Sequence, residues 1–468
     1  MKGCGELKPK QLVGVGLAAA ILIGMCFIPG TEALSAAGIR TICMLVAFLV
    51  MLVAGSFRLM YISFILLGLM PILGVAPTIS EAAAGFGNPL ILFVISSFGI
   101  SAAFTELPIS KRILVAILRR FGKNAELILL AMMCSTAIIS GLVSSVPTCA
   151  VFLTIALSFL DLYDDPDDKK RTGRTFMIAI PVATMIGSIT TPIASTINLL
   201  ALSFLEELTG TTITFVQWMA AGIPIMIVTL PVAWWIILKV HSPAEISGEM
   251  VKKFIDGLSI PKRVTRPEIN VLIITGIMMA LWITSSWVRS INIVVVTLLG
   301  VCAYCIPQLN ALKFDSFVKN IGWDPVFLFA TLLSLGSLMH LNGVSEWMIS
   351  LMPVLVAPTP LVIAFGAVLF FAMLLIIPIA PSLVPIMAPS MVALALGAGS
   401  SPEIMMLMVA ICGCCCFLLP LDTVPLLSYG KGYFSFKDMF VSSLPIQAFI
   451  IIVTSLWLTV IGYAFGML

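Results

Sequence analysis

The chain has 468 residues, of which 60% are hydrophobic and only 10% are charged, and its formal net charge is +3 at pH 7. A soluble protein carries charge on about a quarter of its residues, so the composition excludes an ordinary soluble globular protein. No tract of basic residues is interleaved with aromatic residues, and we expect no nucleic-acid partner. The apolar runs that recur from end to end predict an all-α polytopic protein of the lipid bilayer.

Eleven apolar runs approach the roughly 20 residues that a helix needs to cross a bilayer. In chain order, the predicted spans are 11–29, 39–57, 59–76, 88–106, 175–207, 215–240, 269–287, 291–308, 325–342, 402–430 and 436–466. The first run follows Lys2, Lys8 and Lys10, which is also the pattern of a signal peptide. Because so many spans follow it, we interpret this run as a retained first helix with a cytoplasmic N-terminus.

Two further apolar stretches, 125–163 and 353–398, are too long for one helix. The first is interrupted at Ser144-Ser145-Val146-Pro147 and the second at Ser382-Leu383-Val384-Pro385. Proline removes a backbone donor and fits poorly inside a helix. Each stretch is therefore either two ordinary spans or one re-entrant hairpin that enters and leaves the membrane on the same side.

The placement of basic residues favours two hairpins of opposite orientation. Basic residues mark cytoplasmic loops, and they flank the first stretch on both sides. They are Lys111, Arg112, Arg119, Arg120 and Lys123 before it and Lys169, Lys170, Arg171 and Arg174 after it. The segment 321–430 contains no Lys or Arg, so the second hairpin is predicted to enter from the opposite side. The predicted location is the plasma (bacterial inner) membrane.

Similar segments recur in the same order and indicate an internal repeat. Asn88-Pro89 resembles Asp324-Pro325, the two hairpin interruptions correspond, and Thr214-Phe215 resembles Ser435-Phe436. The two copies have opposite predicted orientation, as in many secondary transporters. The predicted divisions are scaffold helices at 1–87, a first inverted repeat at 88–240, a basic loop with connecting scaffold helices at 241–320, and a second inverted repeat at 321–468.

The interruptions of the predicted helices define the candidate site. In inverted-repeat transporters, ligands bind where broken helices meet, because helix N-termini attract anions and freed carbonyl groups coordinate sodium. The four interruptions are the two hairpin tips and the segments 187–198 and 420–425. None contains Lys or Arg, so an anion would be held by backbone dipoles, hydroxyl groups and co-bound cations.

These segments resemble the divalent anion–sodium symporter family, and the likeness covers nearly the whole chain from the fourth span onward. The family's Ser-Asn-Thr motif aligns with Ser144-Ser145-Val146 at the first tip and with Ser382-Leu383-Val384 at the second. Its Gly-Thr-Pro-Pro-Asn-like stretch aligns with 187–198, and Asp422-Thr423-Val424-Pro425 fits the second unwound segment. The resemblance implies a homodimer and an elevator-like mechanism.

The interruptions and the resemblance together predict the site residues. The predicted anion-binding residues are Ser144, Ser145, Thr148, Ser188, Thr191, Ser195, Thr196, Asn198, Ser382, Thr423 and Pro425. The predicted sodium-binding residues are Ser144, Ser145, Gly187, Ser382 and Asp422. Both tip asparagines of the family are replaced here, by Ser145 and Leu383, so the second tip keeps little beyond Ser382.

Asp422 is an ionisable residue inside a predicted span, which costs about 3 kcal/mol on insertion scales. It is either a sodium ligand or a proton carrier, or else a structural carboxylate that bonds backbone donors or pairs with Lys431. The cysteines at 412–416 lie in an apolar run without a nearby histidine, and we interpret them as packing residues.

We predict a sodium-coupled symporter of a small anion such as a dicarboxylate or sulfate, with proton coupling as the alternative for the co-ion. A cation/proton antiporter that uses Asp422 is the second hypothesis. No enzyme is expected, because the sequence has no HExxH motif, no GxSxG motif and no second aspartate that would clearly pair with Asp422 inside the membrane. No cofactor other than the coupling ion is expected.

Overall fold

The structure is a computed structural model that describes residues 9–55, 57–121, 124–258, 260–261, 263–288, 290–351, 357–377 and 379–468. The predictions that rest on Lys2, Lys8 and Lys123, and on residues 353–356 of the second hairpin stretch, concern residues outside this description. All regular secondary structure within the described residues is helical.

The first half of the chain forms eleven α-helices within the described residues. They are α1 (Pro9–Gly24), α2 (Ala36–Ala54), α3 (Leu59–Ile72), α4 (Ile79–Ala82), α5 (Pro89–Glu106), α6 (Ile109–Phe121), α7 (Ala125–Leu142), α8 (Ser145–Leu160), α9 (Pro166–Gly187), α10 (Thr196–Thr209) and α11 (Phe215–Val240). The second half forms eleven more within the described residues. They are α12 (Gly248–Gly257), α13 (Arg266–Thr284), α14 (Ile293–Tyr304), α15 (Phe314–Asn320), α16 (Trp323–Leu341), α17 (Val344–Leu351), α18 (Thr359–Ile376), α19 (Ala380–Gly397), α20 (Pro402–Cys414), α21 (Thr423–Tyr429) and α22 (Phe436–Ala464).

Many of these helices are long and apolar enough to cross a membrane. Eight of the described helices have at least 18 residues and low charge: α5, α7, α11, α13, α16, α18, α19 and α22. Shorter apolar helices, including α3, α8, α14 and α20, accompany them. This confirms the prediction of an all-α polytopic membrane protein. The orientation of the helices in a membrane stays a prediction.

The order of elements recurs between the two halves of the chain. Helices α5 to α11 run in the order long helix, short helix, helix pair, broken helix and long helix, and α16 to α22 repeat it. The pair α2–α3 precedes the first series as α13–α14 precedes the second. The long helix of each series packs on helices from the other half, α5 on α14 and α16 on α3. The order of elements thus repeats, and the opposite orientation of the two copies stays a prediction.

The first predicted hairpin is interrupted where the sequence indicates. Helix α7 ends at Leu142, and α8 begins at Ser145 with Ser144 as its N-cap residue. Gly141, beside the interruption, allows a close approach, because a Cβ atom there would lie 2.3 Å from the Thr190 Oγ1 atom. The hairpin tip is therefore packed directly against the unwound segment that follows α9.

The position predicted for the second interruption was wrong by a few residues. Helix α18 ends at Ile376 and α19 begins at Ala380, with Ile379 as its N-cap residue. Ser382 and Pro385, where the interruption was expected, lie inside α19. Membrane helices tolerate proline where neighbouring groups satisfy the freed backbone atoms, so a proline does not by itself mark the end of a helix.

The first broken span is confirmed, whereas the second is broken at 415–422, a few residues before the predicted 420–425. In the first half, α9 ends at Gly187 and α10 begins at Thr196, with a short 3₁₀ turn, Pro192–Ala194, between them. In the second half, α20 ends at Cys414 and α21 begins at Thr423. The two hairpin tips and these two unwound segments meet in the interior of the molecule.

Candidate functional site

A cavity of about 350 Å³ lies where the four interruptions meet. Helices α5 and α16 complete its wall, through residues such as Phe98 and Phe329. At the interruptions it is lined by Ser144, Ser145, Val146, Pro147, Met185, Ser188, Ser195, Thr196, Ile379, Pro381, Cys414, Asp422, Thr423 and Val424. Within the described residues, the lining contains no Lys or Arg side chain.

The first hairpin tip presents hydrogen-bond donors to the cavity. The hydroxyl groups of Ser144 and Ser145 have no hydrogen-bond partner among the described residues and are only partly buried. The first backbone N–H groups of a helix have no intrahelical acceptor, and the positive end of the helix dipole lies there. The N-terminus of α8, with Ser145 and Val146, therefore suits a bound anion.

The first unwound segment adds a second helix N-terminus. Ser195 is the N-cap residue of α10, and its side chain accepts a hydrogen bond from the Ile197 N–H group at 3.3 Å. The Thr196 hydroxyl group lines the cavity without a protein partner among the described residues. Ser188 also lines the cavity, but its hydroxyl group donates to the Met185 carbonyl oxygen at 2.8 Å.

Two predicted ligand residues of this segment lie behind the cavity wall and hold it in place. The Asn198 amide donates to the carbonyl oxygens of Ser188 and Thr191, each at 2.9 Å. The Asn198 Oδ1 atom accepts a hydrogen bond from the Cys414 Sγ atom at 3.0 Å, which joins the two halves of the chain. The Thr191 hydroxyl group donates to the Gly141 carbonyl oxygen at 2.6 Å. Asn198 and Thr191 thus fix the shape of the unwound segment.

The other predicted site residues outside the lining are also buried in packing. The Thr148 hydroxyl group donates to the Ser144 carbonyl oxygen at 3.0 Å and so supports the first tip. A Cβ atom on Gly187 would lie 2.3 Å from the Ala137 carbonyl oxygen, so this position needs glycine for close helix packing. Pro425 is buried in α21, and Ser382 is fully buried in α19 with a hydroxyl group that has no partner among the described residues.

The second half of the cavity has a carboxyl group and little other polarity. Asp422 is the N-cap residue of α21, and only 9% of it is exposed. Its carboxyl group makes no capping hydrogen bond to α21, and it lies close to the backbone amides of Val424, Thr423 and, in the second hairpin tip, Ala380. The Thr423 hydroxyl group has no protein partner among the described residues. Asp422 therefore links the second tip to the second unwound segment.

The wall contains residues that sequence reasoning missed. Cys414 was interpreted as a packing residue; it does pack on Asn198, but it also lines the cavity. Ser101 and Thr105 of α5 line the cavity as well, and their spacing of four residues puts both on one helix face. The available signal for Cys414 was its position at the last turn of a helix that ends in the middle of a span.

A cation in this cavity would depend on main-chain carbonyl groups and Asp422. Among the described residues, no group of three or more His, Cys, Asp or Glu side chains is arranged to hold a metal ion. Unwound segments of transporters coordinate sodium through backbone carbonyl groups. Segments 188–195 and 415–422 supply such carbonyl groups next to the cavity.

Comparison with known sequences gives consistent matches over most of the chain. Residues 10–468 match the family model described as "Sodium:sulfate symporter transmembrane region". A protein of Cupriavidus necator described as "Membrane protein" is 24% identical over 362 residues, which cover 73% of this chain and 70% of that protein. The "Sodium-dependent dicarboxylate transporter SdcS" of Staphylococcus saprophyticus is 23% identical over 385 residues, which cover 77% of this chain and 74% of that protein.

Solved structures of transporters share the fold. The YdaH transporter of Alcanivorax borkumensis has a TM-score of 0.55 at 13% identity, and the match covers 83% of this chain and 88% of the YdaH chain. MtrF of Neisseria gonorrhoeae has a TM-score of 0.60 at 11% identity, and the match covers 97% of this chain and 95% of MtrF. MtrF is described as illuminating a class of antimetabolite efflux pumps. At such identities the likeness shows the fold alone.

Proposed function

The chain belongs to the sodium:sulfate symporter family, and we propose that it is a secondary active transporter that moves a small anion across the plasma membrane by sodium-coupled symport. Membership in a transporter family is consistent with the expectation that the chain is not an enzyme. The names of the family and of the staphylococcal relatives make sulfate and dicarboxylates the first anions to test.

The observation that carries this proposal is the chemistry of the cavity. The first tip and the N-terminus of α10 offer hydroxyl groups and free backbone donors, whereas the described lining has no basic side chain. An anion bound here lies near the Asp422 carboxyl group. Two unit negative charges ~5 Å apart at an effective dielectric constant of ~20 repel by about 3 kcal/mol. A cation bound with the anion offsets this repulsion, which couples the two ions.

The proposed sodium ligands come from both halves of the cavity. Ser144 and Ser145 line the cavity in the first half, and Asp422 lines it in the second. Gly187, also predicted as a ligand, lies outside the lining, and its carbonyl oxygen accepts a hydrogen bond from the Thr190 hydroxyl group at 2.8 Å. Ser382, which was predicted as a ligand, lies inside α19 and outside the cavity lining. The homodimer, the elevator-like movement and the cytoplasmic position of the N-terminus are further parts of this proposal.

Proton coupling is the second candidate, because Asp422 is the one carboxyl group among the described residues that lines the cavity. In the antiporter form of this alternative, Asp422 would carry a proton in one direction and a cation in the other. The two candidates differ in what drives anion uptake, and in whether an anion is needed at all.

The test uses purified protein in proteoliposomes with an inward sodium gradient. Labelled sulfate, succinate and hexanoate are offered separately, with potassium replacing sodium as the ionic control. We expect sodium-dependent accumulation of at least one anion, and loss of at least tenfold of this uptake in the double variant Ser144→Ala and Ser145→Ala. Ser158→Ala is the matched control, because its hydroxyl group donates to the Thr154 carbonyl oxygen on an exposed face of α8.

Two results would contradict the proposal. Uptake driven by a pH gradient without sodium, and abolished in Asp422→Asn, would favour proton coupling. A change in internal pH on adding sodium, with no anion present, would favour the antiporter.

A further inference from the structure

The two halves of the cavity follow the same plan but differ in charge. In the first unwound segment, Ser195 is the N-cap residue of α10 and Thr196 is its first residue. In the second, Asp422 is the N-cap residue of α21 and Thr423 is its first residue. The repeat therefore puts a carboxyl group in the second half where the first half has a hydroxyl group.

The Asp422 carboxyl group occupies the place where the second half would hold an anion. It is nine-tenths buried, it lines the same cavity as Ile379 and Pro381 of the second tip, and it lies close to the backbone amides of Ala380 and of Val424 in α21. Ala380 is the first residue of α19, and Pro381, which follows it, has no N–H group to donate. The Ser382 N–H group already donates to the Ile379 carbonyl oxygen at 3.2 Å. A ligand anion at this tip would compete with Asp422 for the donors that remain.

Apart from Thr423 and Asn320, the remaining surface of the second half is mostly apolar. Ile379 and Pro381 line the cavity at the second tip, whereas Ser144 and Ser145 line it at the first. Phe329 of α16 also lines the cavity. Burial of a hydrocarbon or aromatic group against these side chains is favourable, because it removes apolar surface from water.

The volume of the cavity fits an organic ligand. Sites for small organic ligands have volumes of roughly 300–1,000 Å³, and this cavity has about 350 Å³. An inorganic oxyanion such as sulfate would leave most of that volume unfilled and would make no use of the apolar wall.

We propose that the substrate is an organic anion with one charged group, a carboxylate or a sulfonate, and an apolar body. The charged group binds at Ser144 and Ser145, and the body extends toward Ile379 and Pro381. Asp422 takes the place of the second carboxylate that a dicarboxylate would bring. This inference rests on the proposed function, since it assumes that the cavity is the anion site.

The test compares six-carbon anions that carry one or two charges, with sulfate as an inorganic dianion. The melting temperature of the purified full-length protein is measured against increasing hexanoate, hexanesulfonate, adipate and sulfate, in sodium and in choline buffer. A ligand that binds the folded state raises the apparent stability by mass action. We expect hexanoate or hexanesulfonate to stabilise the protein in sodium at concentrations at least tenfold lower than adipate or sulfate require.

The variant Asp422→Ser gives the second half the residue that the first half has at Ser195. We expect it to reverse the preference, so that adipate binds at least tenfold more tightly than to the wild type and hexanoate binds more weakly. Asp256→Ser, in the exposed part of α12, removes the same charge far from the cavity and should leave the preference unchanged. Asp422→Asn, which keeps the shape of the side chain, is the second variant if Asp422→Ser does not fold.

The outcomes separate this inference from the proposed function. Sodium-dependent stabilisation of the wild type mainly by adipate or sulfate would overturn the inference and leave the symporter proposal standing. An unchanged preference in the Asp422 variants would also overturn it. The absence of sodium-dependent stabilisation by all four probes would refute the proposed function, and the inference with it.

Discussion

Replacing Asn198 with alanine should weaken substrate binding without direct contact between that side chain and the ligand. Asn198 is fully buried, and its amide holds the carbonyl oxygens of Ser188 and Thr191 at 2.9 Å each. Each hydrogen bond contributes about 1 kcal/mol, and a buried carbonyl group left unpaired costs a similar amount. The Asn198→Ala change therefore destabilises the unwound segment by about 2–4 kcal/mol.

Most of that free energy should appear in the binding of anion and sodium, because the unwound segment forms one side of the cavity. A cost of about 2–4 kcal/mol corresponds to a roughly 30- to 1,000-fold loss of affinity. The assay is sodium-dependent anion uptake in proteoliposomes, with the melting temperature of the ligand-free protein measured in parallel. Asn270→Ala is the matched control, because the Asn270 amide in α13 donates to the carbonyl oxygen of Leu309, in the turn after α14, at 2.7 Å, and neither residue lines the cavity. Uptake by Asn198→Ala within twofold of that control would show that Asn198 does not hold the unwound segment in its binding shape.

Two further predictions concern stability. Gly187→Ala should lower the melting temperature and the uptake, because the new Cβ atom would lie 2.3 Å from the Ala137 carbonyl oxygen. Gly276→Ala in α13 is the control and should be neutral or stabilising, because its Cβ atom would meet no atom within 4 Å. Thermal unfolding of both variants tests this prediction. Arg112→Gln should destabilise the protein by about 3–5 kcal/mol, because it leaves the buried Glu268 carboxylate of α13 without its ion-pair partner. Adding Glu268→Gln to Arg112→Gln should restore part of the lost stability, because it removes the unpaired carboxylate. A double variant that is no more stable than Arg112→Gln would contradict the role of this ion pair.

The general architecture could be predicted because membrane insertion imposes simple rules on the sequence. Apolar runs of span length had to become helices, and those at 89–106, 215–240 and 436–464 did so close to the predicted bounds. The first tip was placed correctly because Ser144 is both an N-cap residue and the start of a polar interruption. Local chemistry and tertiary structure agree at that position.

The second tip was misplaced because its sequence carries no polar signal. Ile379 and Ala380 are as apolar as the helices on either side, and Pro385 suggested an interruption that the structure does not have. A tolerated proline inside a packed membrane helix depends on neighbours that are distant in sequence. Those neighbours could not be identified from the chain alone.

The distinction between residues that line the cavity and residues that support it also required the structure. Ser188, Thr191 and Asn198 belong to one short segment, yet only Ser188 lines the cavity, and the other two hold the backbone from behind. The contact between Cys414 and Asn198 joins residues more than two hundred positions apart. Nothing in the local pattern specifies such a pair, nor the approach of Asp422 to Ala380.

The most direct test of sodium-coupled symport measures the flux of the ion and of the anion together. Influx of radiolabelled sodium into proteoliposomes is followed with and without the anion that stabilises the protein best, and anion influx is followed with and without sodium. For sodium-coupled symport, we expect each flux to rise when the other partner is present, and both to fall together in the Ser144→Ala and Ser145→Ala double variant. Sodium influx that does not respond to the anion, or anion influx that does not respond to sodium, would contradict it.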